Sequence, residues 1–490
     1  MSVLAKYDIR GIQSYVFRTN KLREIRAVQD LPEKIVFAAL KNAAGIPETT
    51  DESAAMQELA GKGIQVLDKA GGNAIVIFQS KVQYQEISKR MAFWILQQTH
   101  SLHLVYACVN CTDDFYDDYN TLNKELGARK AAMPEACHMG AFPICRQDRV
   151  TGFPLAGKDG FGEYTTKESL LKMGYMTRTS TSKQENTIDN YVLAKGVDSH
   201  IAVIHIDGNN MGNRINSVIS SASYDNAAEV FRSIRVRDRF AEVCQEMQEY
   251  VREYQSSNPE GRQYLIHAVI QAGDDITYLT RADIAFSFTK EFLKRISEKF
   301  MLAGTQEDRY RISACAGIAY CHSHFPFSDA YVLAEKCCAN AKKRAKENKH
   351  PTSGYIGNWV DFEICGHIRD VDIVQSRKRY GVVDGTMLHM RPYCVAHPQY
   401  TDPEHDFEVF EEHLRSLTKE KPIVNRSRAK ALRQAYMDGR NAVTVWQKAA
   451  ISRGYDKIPE KLYRNGCAVL YDAVEMMDLY TDMNKGGEEK

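Results

Sequence analysis

Two short stretches set acids beside apolar runs: "HIDGNNMGNRI", beginning at His205, and "QAGDDITYLT", beginning at Gln271. Lone carboxylates at strand ends are common and mostly solvate turns. Asp207, Asp274 and Asp275 brought together would instead hold divalent metal, because Mg²⁺ takes oxygen ligands and keeps room for phosphate oxygens. Two ions, Mg²⁺ or Mn²⁺, would serve nucleotidyl transfer. One lowers the pKa of an attacking ribose hydroxyl, and the other neutralises charge on a leaving pyrophosphate. Gly208 lets its backbone carbonyl approach such a metal, and Gly273 permits a tight turn. A triphosphate also needs a cation. "AEKCCANAKKRAKENK" offers Lys342, Lys343, Arg344 and Lys346. Lys342 is the candidate, and its spacing fits a solvated basic helix face equally well.

The elements that must position these residues read as two copies of one unit. "VLAKYDIRGIQSYVFRTNKLREI" is a strand, a turn and a helix, followed by a helix at about 31–45. "GIQVLDKAGGNAIVIFQS" is a hairpin turning at Gly71–Gly72–Asn73; "QEISKRMAFWILQQTH" is a helix and "LHLVYACVN" a strand. Residues 113–198 read as loops and a linker, rich in Gly, Ser, Thr and Asn. The pattern then returns. "HIAVIHIDG" is a strand and "FRSIRVRDRFAEVCQEMQEYVREYQ" one long helix; "YLIHAVIQAGDDITYLT" is a hairpin turning at Gly273–Asp274–Asp275. A helix, the strand "RYRISACAGIAYC" and another helix follow, and "WVDFEIC" closes the unit near 365.

Asp8 lies 65 positions before Asn73, and Asp207 lies 67 before Asp274. "AGGNAIVIF" is matched to "AGDDITYLT", with Asn73 and Ala74 set against Asp274 and Asp275. One copy keeps the acids and the other lacks them. The first strand of such a unit should neighbour the hairpin, so the two turns meet at one edge.

The totals bound the rest. With 490 residues the chain exceeds one ordinary core. A net charge of +1 excludes a global field for nucleic acid or anionic membrane. No run reaches transmembrane length, and the N-terminus lacks a signal-peptide order, which reads as a cytoplasmic protein. Twelve cysteines then read as reduced thiols. Cys108, Cys111, Cys137, His138 and Cys145 are candidate zinc ligands, but the second pair is loosely spaced and ordinary buried or loop cysteines are the favoured reading. Glu404 to Phe407 ("EHDF") reads as loop. His205 and His267 read as core or supporting histidines, and Arg23 and Arg26 as surface residues. The three tryptophans are too scattered for a base-stacking platform.

"DGNNMG" (Asp207 to Gly212) and "AGDD" (Ala272 to Asp275) resemble the D-G-D-x-M-G strand and G-G-D-D hairpin of the palm-domain polymerase-cyclase family, specifically the large cyclase subunit of type III CRISPR complexes. "AGIAYCHSHFPFSDAYVLAEKCCANAKK" resembles the segment that follows in that family, and its "AK" is similar to that of GGDEF-type cyclases. "DIRGIQSYVF" and "AGGNAIVIF" resemble the family's degenerate first palm. The resemblance implies an α+β chain with two ferredoxin-like βαββαβ palms, the first degenerate and the second catalytic. The expected layout is a first palm at 1–115, a middle insert and linker at 116–195, the catalytic palm at 196–365 and a helical C-terminal domain at 366–490.

It also implies roles. Asp207, Asp274 and Asp275 would be catalytic metal ligands, with Gly208 a backbone ligand; Asn210, Gly273 and Lys342 would bind nucleotide. Asn209 and Ala272 depart from the motifs, the first removing a charge near the metals and the second narrowing the nucleotide base pocket. The chain opens at the first palm, which is read as absence of the family's N-terminal nuclease. The implied activity converts ATP or other nucleoside triphosphates into cyclic oligonucleotides in antiviral defence. RNA, other CRISPR-type subunits and a homodimer are the partners considered, and no membrane. Two other readings stay open here: a non-catalytic scaffold, and a GGDEF-like cyclic dinucleotide synthase.

Overall fold

The computed structural model describes residues 1–19, 21–70, 72–133, 144–174, 188–192, 199–257, 264–351, 354–365, 372–397, 402, 404–419 and 421–483. The first unit runs β1 (Val3–Arg10), α1 (Ile12–Phe17), α2 (Leu22–Ala27), α3 (Leu31–Ala43), α4 (Glu52–Gly61), β2 (Ile64–Ala70), β3 (Asn73–Phe78), α5 (Lys81–Thr99), β4 (His103–Asn110) and α6 (Phe115–Ala132). Its sheet order is β2-β3-β1-β4. The hairpin therefore meets β1 through its second strand, and Asp8 lies inside the sheet rather than at an edge.

α6 falls where the sequence reads as loop. It is polar, and its apolar residues Phe115, Tyr119, Leu122 and Leu126 bury one narrow stripe against Leu4, Val105 and Ala107 of the sheet. Its start is nonetheless written locally. Asp114 caps it by accepting from the Asp117 amide (3.0 Å), Asp117 and Asp118 occupy the first turn, and Arg129 and Lys130 the last. After it come β5 (Leu155–Lys158), β6 (Tyr164–Thr166) and α7 (Lys167–Gly174). Arg23, read as a surface residue, clamps this hairpin. It donates to Asp159 at 2.6 Å and Glu163 at 2.9 Å and lies over the Phe161 ring.

The second unit runs β7 (His200–Gly208), α8 (Met211–Ile219), α9 (Ala227–Ser233), α10 (Val236–Ser257), β8 (Ile266–Ala272), β9 (Asp275–Arg281), α11 (Ala285–Ser297), β10 (Ala314–His322) and α12 (Phe327–Glu347). The long helix expected from Phe231 is broken between α9 and α10. Ile234 is extended and bridges Leu302, while the Arg235 amide donates to the Met301 carbonyl at 2.7 Å. A neighbouring segment thus satisfies the backbone groups that the break exposes. The sheet order β8-β9-β7-β10 repeats that of the first unit and is extended by β11 (Asn358–Ile364), parallel to β10.

Beyond β11 the chain is helical, with α13 (Ile373–Tyr380), α14 (Phe407–Thr418), α15 (Arg426–Asp438), α16 (Arg440–Ile451) and α17 (Tyr471–Met476). Strands also occur there. β12 (Val382–Val383), β13 (Thr386–Met387), β15 (Tyr463–Arg464) and β16 (Cys467–Ala468) form a small sheet, and β14 (Tyr393–Ala396) joins the edge of the large one. "EHDF" places Asp406 as the cap of α14, where it accepts from the Glu408 amide at 2.7 Å.

β7 alternates between two cores, as the period of a strand requires. Ala202, Ile204 and Ile206 face α10 and α11, in an apolar mass that continues through Phe410 and Leu432 to Met483. Ile201 and Val203 face a core shared with the first unit. There Phe17 of α1 stacks on Tyr331 of α12, ring centroids 4.0 Å apart. This contact seats the first unit on the second.

Candidate active site

β7 pairs antiparallel with β9 so that Asp207 lies directly opposite Asp275, and with β10 so that Asp207 lies opposite Cys315. The turn between β8 and β9 holds Gly273 at φ 68 and presents Asp274 next to both. The Gly208 amide donates to the Asp274 carbonyl at 3.3 Å. A Cβ on Gly208 would stand 2.6 Å from Asp274 Oδ2, so only glycine admits this carboxylate. The backbone thus sets the three acids beside one another at the same end of the sheet.

Crowding marks the electrostatics. Burial, reinforced by Asp207, pushes the Asp274 carboxyl up to about 6; the same causes raise Asp275 to about 6. Asp275 Oδ1 is buried without a hydrogen-bond partner and stands 3.5 Å from His205 Nδ1, which is also unpartnered. His205 is buried in β7, a supporting rather than an exposed position. Carboxylates that resist ionisation together, with an oxygen left unsatisfied, fit the oxygen-only donor set that a hard divalent cation requires.

Lys342 reaches the site from α12. Its ammonium pairs with Asp207 Oδ2 and donates to the Gly208 carbonyl at 2.9 Å. It therefore occupies the two oxygens assigned to metal, and it is not a solvated face residue. Burial works against its charge, but Asp207 outweighs this and raises its pKa.

Asn209 points elsewhere. It is 2% exposed; its amide donates to the Gly357 carbonyl at 3.1 Å, and its backbone N–H donates to the Ser313 carbonyl at 2.8 Å. A carboxylate could not donate to a carbonyl, so asparagine suits this position for a structural reason. Asn210 caps α8 in the left-handed region (φ 57), exposed, its Oδ1 accepting from Asn213 at 2.7 Å.

Asp274 and Asp275 border a cleft of about 1220 Å³ between the two units, lined also by Gly11, Gln13, Arg232 and Gly273 among others. Gln13 is a site residue that sequence reasoning misses. Its Nε2 donates to Asp275 Oδ2 at 3.0 Å across 262 positions of sequence. It lies in "DIRGIQSYVF", but nothing local says what it touches.

The first unit carries a counterpart. Asp8 lies opposite Asn73, and the Ile9 amide donates to the Gly72 carbonyl at 3.1 Å, as Gly208 does to Asp274. Lys130 of α6 pairs with Asp8 at 2.6 Å, as Lys342 of α12 pairs with Asp207. This register corrects the alignment read from sequence by one position: Asn73 matches Asp275, and Gly72 matches Asp274.

The cysteine reading falls partly outside the described residues, where Cys137 and His138 lie. Cys108 and Cys111 are half-buried with thiols raised by burial, and Cys145 is exposed. Among the described residues, the cluster with metal-ligand geometry is His389, Asp472 and Glu475. Arg391 already neutralises it, 3.6 Å from Asp472 and 3.3 Å from Glu475. No helix among the described residues is long and apolar enough to cross a membrane.

Residues 200–350 match the family model "Cas10/Cmr2, second palm domain". No curated protein matches the chain. Among solved structures, Csm1 in T. onnurineus is similar at TM-score 0.57 and 14% identity, covering 98% of this chain and 70% of that one. The Csm1–Csm4 cassette in complex with cA4 gives TM-score 0.54 and 14% identity over 97% of this chain and 69% of that one. The cassette in complex with AMPPNP gives 0.55 and 13% over 98% and 69%. Residues 200–350 are thus similar to a Cas10/Cmr2 second palm domain, in a chain that shares the fold of Csm1.

Proposed function

We propose that the protein is a metal-dependent nucleotidyltransferase that joins nucleotides from ATP into cyclic oligonucleotides within a type III CRISPR-type assembly. The observation that carries this reading is the pairing of Asp207 with Asp275 and with Lys342 beside Asp274, where Asp274 and Asp275 border the inter-palm cleft. The relatives crystallised with cA4 and with AMPPNP support the substrate class. The scaffold reading loses its motive at Asn209, whose side chain serves the Gly357 loop and leaves the three acids in place.

Asp207, Asp274, Asp275 and the Gly208 carbonyl would hold Mg²⁺ or Mn²⁺, which would supply Lewis acidity toward a ribose hydroxyl and charge neutralisation for a leaving pyrophosphate. Lys342 supplies positive charge at Asp207 and Gly208 in this structure, and its flexible stem lets the ammonium move to a phosphate. Gly273 lets the turn approach the nucleotide with no side chain in the way. Asn210 caps α8 directly after the Asp207–Asn209 bend and is assigned to the nucleotide with it. Facing palms give one chain two sides for two nucleotides, so a homodimer is not required. The partners this reading assigns are a Csm4-like subunit and RNA, and the compartment is the cytoplasm.

The test is incubation with ATP, then with all four nucleoside triphosphates, with Mg²⁺ or Mn²⁺, and mass spectrometry of the products. A cyclic product absent from the Asp274→Ala/Asp275→Ala variant is expected. Equal product from that variant, or no metal-dependent ATP binding by the wild type, overturns the reading. The product mass separates a cyclic dinucleotide from a larger ring.

A further inference from the structure

Asp275 is flanked on two sides by different parts of the chain. On one side His205 of β7 stands 3.5 Å from Oδ1; on the other, Gln13 of the first palm donates to Oδ2 at 3.0 Å. Gln13 belongs to no element of the second palm. It sits in the first turn of α1, just after Gly11 at φ 83, and α1 is seated by Phe17 stacking on Tyr331 and packing on Phe327 of α12. α12 also carries Lys342. The palm–palm contact therefore fixes the Gln13 amide relative to both the Asp275 carboxylate and the lysine on Asp207.

An amide donor on one carboxylate oxygen fixes the carboxylate's rotation, leaving the other oxygen as the available acceptor. That oxygen, Oδ1, is the buried one without a hydrogen-bond partner.

We propose that Gln13 is a positioning residue through which the first palm sets the metal affinity of the second. The inference rests on the metal-dependent reading of the Asp207–Asp274–Asp275 site. It gives the degenerate palm a part in the chemistry, because correct seating of that palm completes the orientation of Asp275. Loosening the contact between palms then weakens metal binding without touching a metal ligand. Partners that orient a metal ligand from behind typically contribute about 10- to 100-fold in affinity.

The test measures Mn²⁺ alone binding to the full chain, by calorimetry and by electron paramagnetic resonance. Four proteins are compared: wild type, Asp275→Asn, Gln13→Ala, and Gln13→Met, which keeps the length of the side chain but removes the donor. Gln13 is half-buried at the cleft, and unchanged thermal melts are expected for both Gln13 variants. The expected result is Mn²⁺ binding by the wild type that Asp275→Asn weakens and that both Gln13 variants weaken by about tenfold or more. Wild-type affinity in Gln13→Met, with Asp275→Asn impaired, overturns the positioning role and leaves the metal reading standing. Binding that Asp275→Asn does not weaken, or none in the wild type, overturns the metal reading and this proposal with it.

Discussion

Asp8 and Asp207 occupy the same place in two sheets of the same order, each paired with a lysine from the helix after the fourth strand. Only one has company. Opposite Asp8 stands Asn73, and opposite Asp207 stands Asp275. The neighbouring positions have exchanged bulk: the second palm has Gly208 beside Asp274, and the first has Ile9 beside Gly72. A side chain at 208 would collide with the Asp274 carboxylate, while one at 72 would stand 2.8 Å from Ile12 Cδ1. At 72 the obstacle is Ile12 of α1, while Ile9 Cβ stays at an ordinary 3.9 Å, so the helix after β1 rather than the strand beside the turn closes that position to a side chain. A carboxylate cluster is a steric arrangement as well as an electrostatic one.

The comparison breaks most visibly on charge. Asp207→Asn should lower product formation by about 10³-fold or more, since metal stabilisation of transition-state charge amounts to several kcal/mol and each 1.4 kcal/mol is about a factor of ten. Asp8→Asn should cost far less. Initial rates at saturating ATP and Mn²⁺ compare the two, and equal losses would erase the distinction between the palms.

The second sheet is also backed by a buried charge network. Arg377 donates to Asp361 at 2.8 Å and to Glu363 at 2.9 Å, and Arg391 donates to Glu363 at 3.2 Å. Glu363→Gln would leave two buried guanidinium groups undercompensated, at a cost of about 3–5 kcal/mol in denaturant unfolding. Burial opposes ionisation of Glu363, but Arg391 and Arg377 outweigh it and pull its carboxyl down to about 2. A depressed folded pKa stabilises above the unfolded value. This contribution should therefore be complete above about pH 4.5 and be lost as pH falls toward 2. Unfolding free energies at about pH 6 and about pH 3 should differ less in Glu363→Gln than in the wild type.

Gly208→Ala sharpens the steric half of the comparison. It forces Asp274 aside and should destabilise the fold by about 1–3 kcal/mol, as overpacking does, while weakening Mn²⁺ binding. Melts and calorimetry report both effects; a variant that binds Mn²⁺ as the wild type does would show that Asp274 needs no such approach. The smallest effect is expected at the first palm's own ion pair. Lys130 is 45% exposed, so Lys130→Ala should change stability by at most about 1 kcal/mol in chemical unfolding.

Much of this is legible in the chain. The short apolar run in "HIAVIHIDG", the glycine-bearing turn of "QAGDDITYLT" and the repeat of both units state their structure over a few residues, because strand-forming runs and turn chemistry are local. The acids and the order of elements follow from that. α6 escapes such a reading because its buried stripe is narrow and its surroundings are polar, although Asp114 marks its start. The break between α9 and α10 is not legible, since the segment at 301–303 that satisfies it is distant in sequence. The match of the two turns, by contrast, is legible, since "AGGNAIVIF" laid residue on residue over "AGDDITYLT" sets Asn73 against Asp275, as the hydrogen-bonded register does.

What the chain determined by itself was therefore which residue types stand at the ends of which strands. Tertiary structure decided whom they meet: that Asp275 rather than Asp274 lies opposite Asp207, that Lys342 covers Asp207 and the Gly208 carbonyl, that Asn209 turns to Gly357, and that Gln13 crosses from the other palm to Asp275. Those meetings depend on strand pairing and palm–palm packing between residues tens to hundreds of positions apart. Local propensity carries no information about such contacts, because their free energy exists only once both surfaces have folded.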